Sequence, residues 1–322
     1  MSVPTTHSRR PRIRIGISSC LLGARVRYDG NHKHDAFVTE TLGRFFEFVP
    51  VCPEVGIGMG VPRPAIRLVG EPVAPRAVGR EDQTIDVTAK LHAYGERMAH
   101  ELGGLSGYIF KSKSPSCGLE RVPVYGAHGP AMRQGRGLFA ATFLAGQSWL
   151  PAEEEGRLCD PELRENFIER VYAFRRWQDL EEDGVTAARL VDFHASHKLA
   201  LMAHDVEAYR ALGRLVAKAE RRVARVLAHD YLGQFMHAFS KRATPARHTN
   251  VLMHLMGYLK KQLDAVDKAE LREVIERYRK GELPRVAPLT LLKHHFRRHP
   301  HPYVARQTYL EPYPGELVLR AV

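Results

Sequence analysis

The sequence predicts an α/β domain with a mainly parallel sheet, followed by an all-α domain. Three observations carry this reading. Strand-like and helix-like segments alternate from residue 13 to about 150, the pattern of a layered α/β unit. Three of the strand-like runs stop at a cysteine: IRIGISSC at Ile13–Cys20, FFEFVPVC at Phe45–Cys52 and YIFKSKSPSC at Tyr108–Cys117. After an acidic break at Glu181–Gly184, helical periodicity continues almost to Lys280. A length of 322 residues suits two domains. The expected organisation is a disordered segment at 1–12, a first domain at 13–160, a connecting helix and linker at 161–184, and a helical domain with an extended tail at 185–322.

The elements follow in order. Ile13–Ser18 is apolar and β-branched and reads as a strand, leading into a loop Cys20–His34 with turns at Gly23 and Gly30. A helix is expected over Asp35–Arg44 and a strand over Phe46–Val51. Gly56–Arg67 (GIGMGVPRPAIR) is dense in Gly and Pro and reads as a loop that approaches something closely. Ile66–Val69 and Glu71–Val78 read as a hairpin turning at Gly70. Val87–Leu102 is an amphipathic helix, with Thr84 or Asp86 near its start. Tyr108–Lys111 is the third cysteine-bearing strand, and Gly135–Gly137 with the apolar run Leu138–Ala145 closes the unit. Asp160 before Pro161 is a helix start. That helix should reach about Leu180, with Leu163, Phe167, Val171 and Phe174 at helical spacing. Leu190, Phe193, His197, Leu201 and His204 mark one face of a long helix. Further helices are expected at Val206–His229, Tyr231–Ser240, Asn250–Ala265, Lys268–Lys280 and Val286–His299. Four prolines between Pro300 and Pro314 predict an extended strap as the tail.

The formal charge is +12, unevenly spread. Residues 1–160 carry 20 basic and 16 acidic side chains, residues 161–322 carry 28 and 20, and the second half holds 11 of the 17 histidines. Such an excess attracts phosphate or RNA without specifying either. The start is basic but has no apolar core, and no apolar run approaches the roughly 18 residues that span a membrane. The chain is therefore expected in the cytoplasm. There, four cysteines read as reduced thiols with metal or catalytic roles.

In an open parallel sheet, ligands collect at the carboxyl ends of strands. Cys20, Cys52 and Cys117 would so form one soft, three-sulfur pocket, suited to an iron–sulfur cluster or to zinc, with one coordination position open. Cys159, just before a helix start, falls outside this pattern and reads as structural. His194 and His197 lie three apart on one helical turn, a spacing found in metal pairs and equally on polar helix faces.

The stretches SSCLLG (Ser18–Gly23), RYDG (Arg27–Gly30), CPE (Cys52–Glu54), GMGVPR (Gly58–Arg63) and KSKSPSCG (Lys111–Gly118) resemble the thiouracil desulfidase family, in that family's order. VDFHASHKLALMAHD (Val191–Asp205), NVLMHLMGYLKKQL (Asn250–Leu263), PLTLLKHH (Pro288–His295) and YLEPYP (Tyr309–Pro314) resemble the YbgA-type helical domain. The first resemblance implies a [4Fe–4S] cluster on Cys20, Cys52 and Cys117, with one iron not ligated by protein. It also implies hydrolytic, non-redox removal of sulfur from a thiolated pyrimidine. Glu54, two residues past Cys52, is then the expected acid/base. Ser114 is the expected proton relay, with Ser112 and Ser116 as competitors that would bond cluster sulfides. Asp29, Arg63 and Ser112 are expected at the substrate, where Asp29 would orient a base edge or a neighbouring side chain, or simply form an Asp-Gly turn, and Arg63 would hold a carbonyl or phosphate, or simply form an ion pair. The alternatives are a sulfur carrier with the same cluster and no turnover, and a zinc protein that binds RNA through the basic half.

Overall fold

The computed structural model describes residues 12–126, 130–219 and 224–320. The disorder expected at 1–12 therefore falls, apart from Arg12, outside the described residues. Contacts divide the chain into two compact units, one running to Phe167 and taking in residues from Leu317, the other spanning Ile168–Glu316. The division falls within the long helix Pro161–Glu182.

The first unit holds two four-stranded sheets. One is wholly parallel, in the order β2–β1–β5–β8, with β1 at Ile13–Ser18, β2 at Phe46–Val51, β5 at Gly107–Phe110 and β8 at Ala152–Glu154. The central strands are apolar because both faces are covered. Ile15 and Ile17 of β1 and all four residues of β5 are buried. Pro50, which has no N–H for a ladder, sits in the edge strand β2. The other sheet runs β4–β3–β6–β7, from β3 (Ile66–Val69), β4 (Arg76–Gly79), β6 (Val122–Tyr125) and β7 (Met132–Gly135). The expected hairpin is present, turning through Gly70 at φ +95°, but its second strand begins at Arg76 rather than Glu71. The one-turn helix α1 (Pro53–Gly56), α2 (Thr88–Glu101) and α3 (Leu138–Gly146) complete the unit. The helix expected over Asp35–Arg44 is a π-turn at Phe37–Thr41 and a 3-10 turn at Leu42–Arg44.

The remaining helices are α4 (Pro161–Glu182), α5 (Ala187–His204), α6 (Val206–Val216), α7 (Ala224–Ser240), α8 (Pro245–Tyr258), α9 (Ala265–Arg279), α10 (Val286–Arg298), and the short α11 (Pro302–Ala305) and α12 (Gly315–Arg320). Their starts are capped by side-chain oxygens that satisfy orphan N–H groups: Thr186 for α5, Asp205 for α6, Thr244 for α8 and Asp264 for α9. Two expectations are corrected here. Helix α6 ends at Val216 in a turn, and Ala224–Ser240 is one helix running through the expected break at Tyr231. The tail is also not wholly extended, because α11 starts at Pro302, where proline suits a first helical turn. Among the described residues no helix is long and apolar enough to cross a membrane.

The core of the second unit is aromatic and carries histidines. Trp177 stacks on Tyr231 at 5.5 Å, and Phe193 meets Phe235 at 5.2 Å. His194 Nδ1 lies 3.1 Å from the Tyr231 hydroxyl, and His197 Nδ1 2.7 Å from the Phe193 carbonyl. Burial, aided by Lys198, pushes His194 down to about 4; burial, aided by Arg176, pushes His197 to about 3. Burial, aided by Arg285, likewise takes His248 to about 3. These imidazoles bind protons near pH 6.5 only when unfolded. Their stabilising contribution is complete above that pH and is lost as pH falls toward 4 and 3. The urea midpoint should therefore fall between pH 7 and 4.5, and His197→Leu should flatten the fall. A midpoint independent of pH over that range would contradict this account.

Candidate metal and catalytic site

The site grows from three strand ends of the parallel sheet. β1 passes into a single turn, Ser19–Leu22, that carries Cys20 and is closed by Gly23 at φ +88°. β2 passes through Cys52 into α1, where Pro53 supplies the preset backbone of a first helical position and Glu54 follows it. β5 passes into the loop Lys111–Cys117, whose Lys111 N–H donates to Ser18 Oγ at 2.9 Å. Ser114 Oγ accepts from the Cys117 N–H at 3.1 Å, which fixes the turn before the third thiol. Helix α3 then braces this loop, with Leu138 and Ala140 donating to the carbonyls of Pro115 and Ser116. Gly137 permits the approach: a Cβ there would sit 2.5 Å from the Ser116 carbonyl carbon and 2.7 Å from the Cys117 nitrogen.

These segments wall one cavity of about 530 Å³. Cys20, Cys52, Cys117, Glu54, Arg63, Ser112, Ser114 and Ser116 all line it. Asp29 and Cys159 do not. Asp29 is an Asx turn that accepts the Asn31 N–H at 3.1 Å, which lowers its carboxyl pKa, and its carboxylate faces Arg27 at 3.6 Å. Its link to the cavity is Arg27, which lines the wall. Cys159 is exposed.

Glu54 is held on both oxygens. Arg63 Nε and Nη2 donate to Oε2 at 2.8 and 2.6 Å, and Ser116 Oγ donates to Oε1 at 2.6 Å. Ser116 Oγ also lies 3.0 Å from Ser114 Oγ. The hydroxyls thus form a line, Ser114–Ser116–Glu54, with Ser116 as the direct neighbour of the carboxylate. The Arg63 side chain is 2 % exposed, and its other bonds go to the carbonyls of Gly60 and Val26 at 2.8 Å. An arginine so committed positions the carboxylate and has little left for a substrate. Ser112 is similarly engaged. Its N–H and hydroxyl donate to Glu155 at 2.7 and 2.8 Å, and Glu155 also pairs with Lys111.

Two features of the site differ from or go beyond the sequence expectations. Ser116 was seen only as a competitor of Ser114, because spacing does not say which hydroxyl faces Glu54. The acidic run Glu153–Glu155 at the end of β8 carries no expectation from the sequence. Glu155 anchors the Lys111–Ser112 turn, and Glu154 Oε1 accepts the Leu119 N–H at 2.7 Å. Three consecutive acids in one short segment are the available signal.

The cavity wall is cationic. Besides Arg63 it presents Arg27, Lys33, Arg67, Arg80, Lys111 and Lys113, against the single carboxylate of Glu54. Burial pushes Cys20 up to about 11, partly offset by Lys111, and raises Cys52 and, further, Cys117. Left to themselves the three sulfurs are thiols at neutral pH. A soft metal centre would take them as thiolates and discharge that cost. Among the described residues no group of three His, Cys, Asp or Glu would hold a metal ion. The three thiols instead surround a space many times the roughly 30 Å³ of a water molecule. Three soft donors, a large cavity and a positive wall fit an anionic polynuclear iron–sulfur centre better than one zinc ion.

Comparison with known proteins follows this division of the chain. A family model described as 2-thiouracil desulfurase matches residues 15–155. A second, described as a protein of unknown function, DUF1722, matches residues 198–314. The Escherichia coli (strain K12) protein YbgA, itself uncharacterized, is 35% identical over 155 residues, 47% of this chain and 90% of its own. A solved structure of a [4Fe-4S]-dependent thiouracil desulfidase, TudS, is 30% identical, covering 48% of this chain and 96% of its own, with a TM-score of 0.38. The chain belongs to the 2-thiouracil desulfurase family through its N-terminal part, fused to a C-terminal domain of the DUF1722 and YbgA kind.

Proposed function

We propose that this protein is an iron–sulfur-dependent desulfidase. It would convert the C=S group of a thiolated uracil-type base, nucleoside or nucleotide to C=O with one water, releasing hydrogen sulfide and moving no net electrons. The observation that carries the proposal is the meeting, in one cationic cavity, of three strand-end thiols with a carboxylate gripped by Arg63 and Ser116. Cys20, Cys52 and Cys117 would hold a [4Fe–4S] cluster with one iron free of protein ligands. That iron would supply a soft Lewis acid for the thiocarbonyl sulfur. Arg63 holds Glu54 Oε2 with two donors, so Oε1, bonded to the Ser116 hydroxyl, would be the oxygen that takes a proton from water. Ser116 and Ser114 extend that oxygen's hydrogen bonding along the wall.

A sulfur carrier has no use for so held a base, and a single zinc ion would leave most of the cavity unfilled. Arg27, Lys33, Arg67, Arg80 and Lys113 favour a phosphate-bearing substrate from within the cavity itself.

The test is anaerobic reconstitution followed by assay over thiouracil, thiouridine and thiouridine monophosphate. A brown protein should release sulfide and oxo product in equal amounts. The nucleotide should have the larger kcat/KM, and its advantage should shrink as salt rises. A cluster-loaded protein that turns over none of the three would make it a carrier.

A further inference from the structure

The helical unit holds a second cavity, of about 360 Å³, whose chemistry the desulfidase reading does not use. Its wall comes from one face of α10, where Lys293, Phe296 and Arg297 lie three and four residues apart, and from His301 at the start of α11. Lys293 is paired with Glu311 at 3.2 Å. Arg297 is exposed and has no acidic partner among the described residues. The His301 Nδ1 atom is buried without a hydrogen-bond partner.

An aromatic cluster continues from this cavity. The Tyr258 ring lies 4.7 Å from His301 and 5.4 Å from Tyr303, and Tyr258 is 37% exposed. Tyr258 ends α8, and the exposed Lys260 and Lys261 follow after the buried Leu259. Arg298, also exposed, ends α10. Four cations with no acidic partner among the described residues therefore stand on the cavity wall or within three residues of these rings in sequence. Only Glu311 opposes them on the cavity wall, and Lys293 already neutralises it.

We infer that this face of the helical unit binds single-stranded nucleic acid. One unpaired base enters the cavity against Phe296 and His301. A neighbouring base stacks on Tyr258, and Arg297, Arg298, Lys260 and Lys261 receive the backbone phosphates. Alternation of rings with cations is the arrangement that holds unpaired strands, since every base offers a π-face and every link a charge. The cavity volume is within the range that encloses one small heterocycle. A duplex hides its base faces and gains only the phosphate contacts. Nothing in the proposed contacts requires a 2′-hydroxyl.

The experiment uses the full chain without its cluster, so its outcome is independent of the desulfidase reading. Fluorescence anisotropy is measured with fluorescein-labelled rU12 and dT12. Both should bind within a few-fold of each other, with an affinity that falls steeply as salt rises. Tyr258→Ala should weaken binding about tenfold, the loss of one stacked base. Arg297→Glu should weaken it at low salt and lower the salt slope by about one. The double variant Lys90→Glu/Arg133→Glu, exposed in the other unit and outside both cavities, should bind like the wild type. The proposal is overturned if neither oligomer binds at low salt, or if the Tyr258 and Arg297 variants bind normally. It is equally overturned if the Lys90/Arg133 variant loses binding, if duplex RNA binds as tightly, or if uridine monophosphate competes as well as the oligomer.

Discussion

Replacing Cys20, Cys52 or Cys117 by Ala should each abolish cluster loading and desulfuration, whereas Cys159→Ala should leave both intact. The three thiols enter the cavity from three separate strand ends, so no neighbouring sulfur can take a lost ligand's place. Cys159 is exposed, in the one-turn helix Arg157–Cys159, and does not line the cavity. The alanine variants should still fold. A buried Cys→Ala change removes one sulfur atom from a wall that already faces an open space, and burial holds these groups as thiols when no metal is bound. The measurement is iron and sulfide content with visible absorbance after anaerobic reconstitution, alongside circular dichroism. A folded Cys52→Ala protein carrying a full cluster would remove Cys52 from the ligand set, and loss of the cluster in Cys159→Ala would bring that residue into it.

Much of this site was legible because strands and thiols announce themselves together. Ile13–Ser18 sets three isoleucines at alternate positions and Phe46–Val51 is apolar apart from Glu47, and both strands have the bounds that the pattern predicts. Each is followed at once by a cysteine and a turn. The second sheet was harder to see. Val122–Tyr125 contains Pro123, and Met132–Gly135 is mostly exposed, so neither shows an apolar period. For Arg63 an ion pair was one open reading, but its partners were not legible. Its bonds join Val26, Glu54 and Gly60, and only the folded loops bring those atoms to one guanidinium. The same holds for Ser116. Three serines within five residues are equivalent in sequence, and the brace of α3 against Pro115 and Ser116 decides which one faces Glu54. In the helical half, caps at Thr186, Asp205, Thr244 and Asp264 mark starts that a search for apolar periodicity blurred by several residues.

Glu54→Gln should keep the cluster and still admit a thiolated substrate, yet slow turnover by roughly 10²–10⁴-fold, the usual contribution of a positioned acid or base. The hydrogen bonds explain why the change is specific. Arg63 offers only donors, so the amide must turn its oxygen toward Arg63 and its NH2 toward Ser116. Ser116, which donates to Glu54 at 2.6 Å in the wild type, must then accept. Side-chain packing is preserved, but the atom that took a proton has become one that gives a hydrogen bond. The direction of the whole Ser114–Ser116 line reverses with it. Arg63→Ala removes the grip and leaves the carboxylate in place, so it should cost less in kcat than Glu54→Gln if the carboxylate is the reacting group. Single-turnover rates on cluster-loaded proteins, with substrate binding followed separately by absorbance, distinguish these outcomes. A Glu54→Gln protein that binds substrate and turns it over at the wild-type rate would take the carboxylate out of the chemistry and leave it a purely structural partner of Arg63.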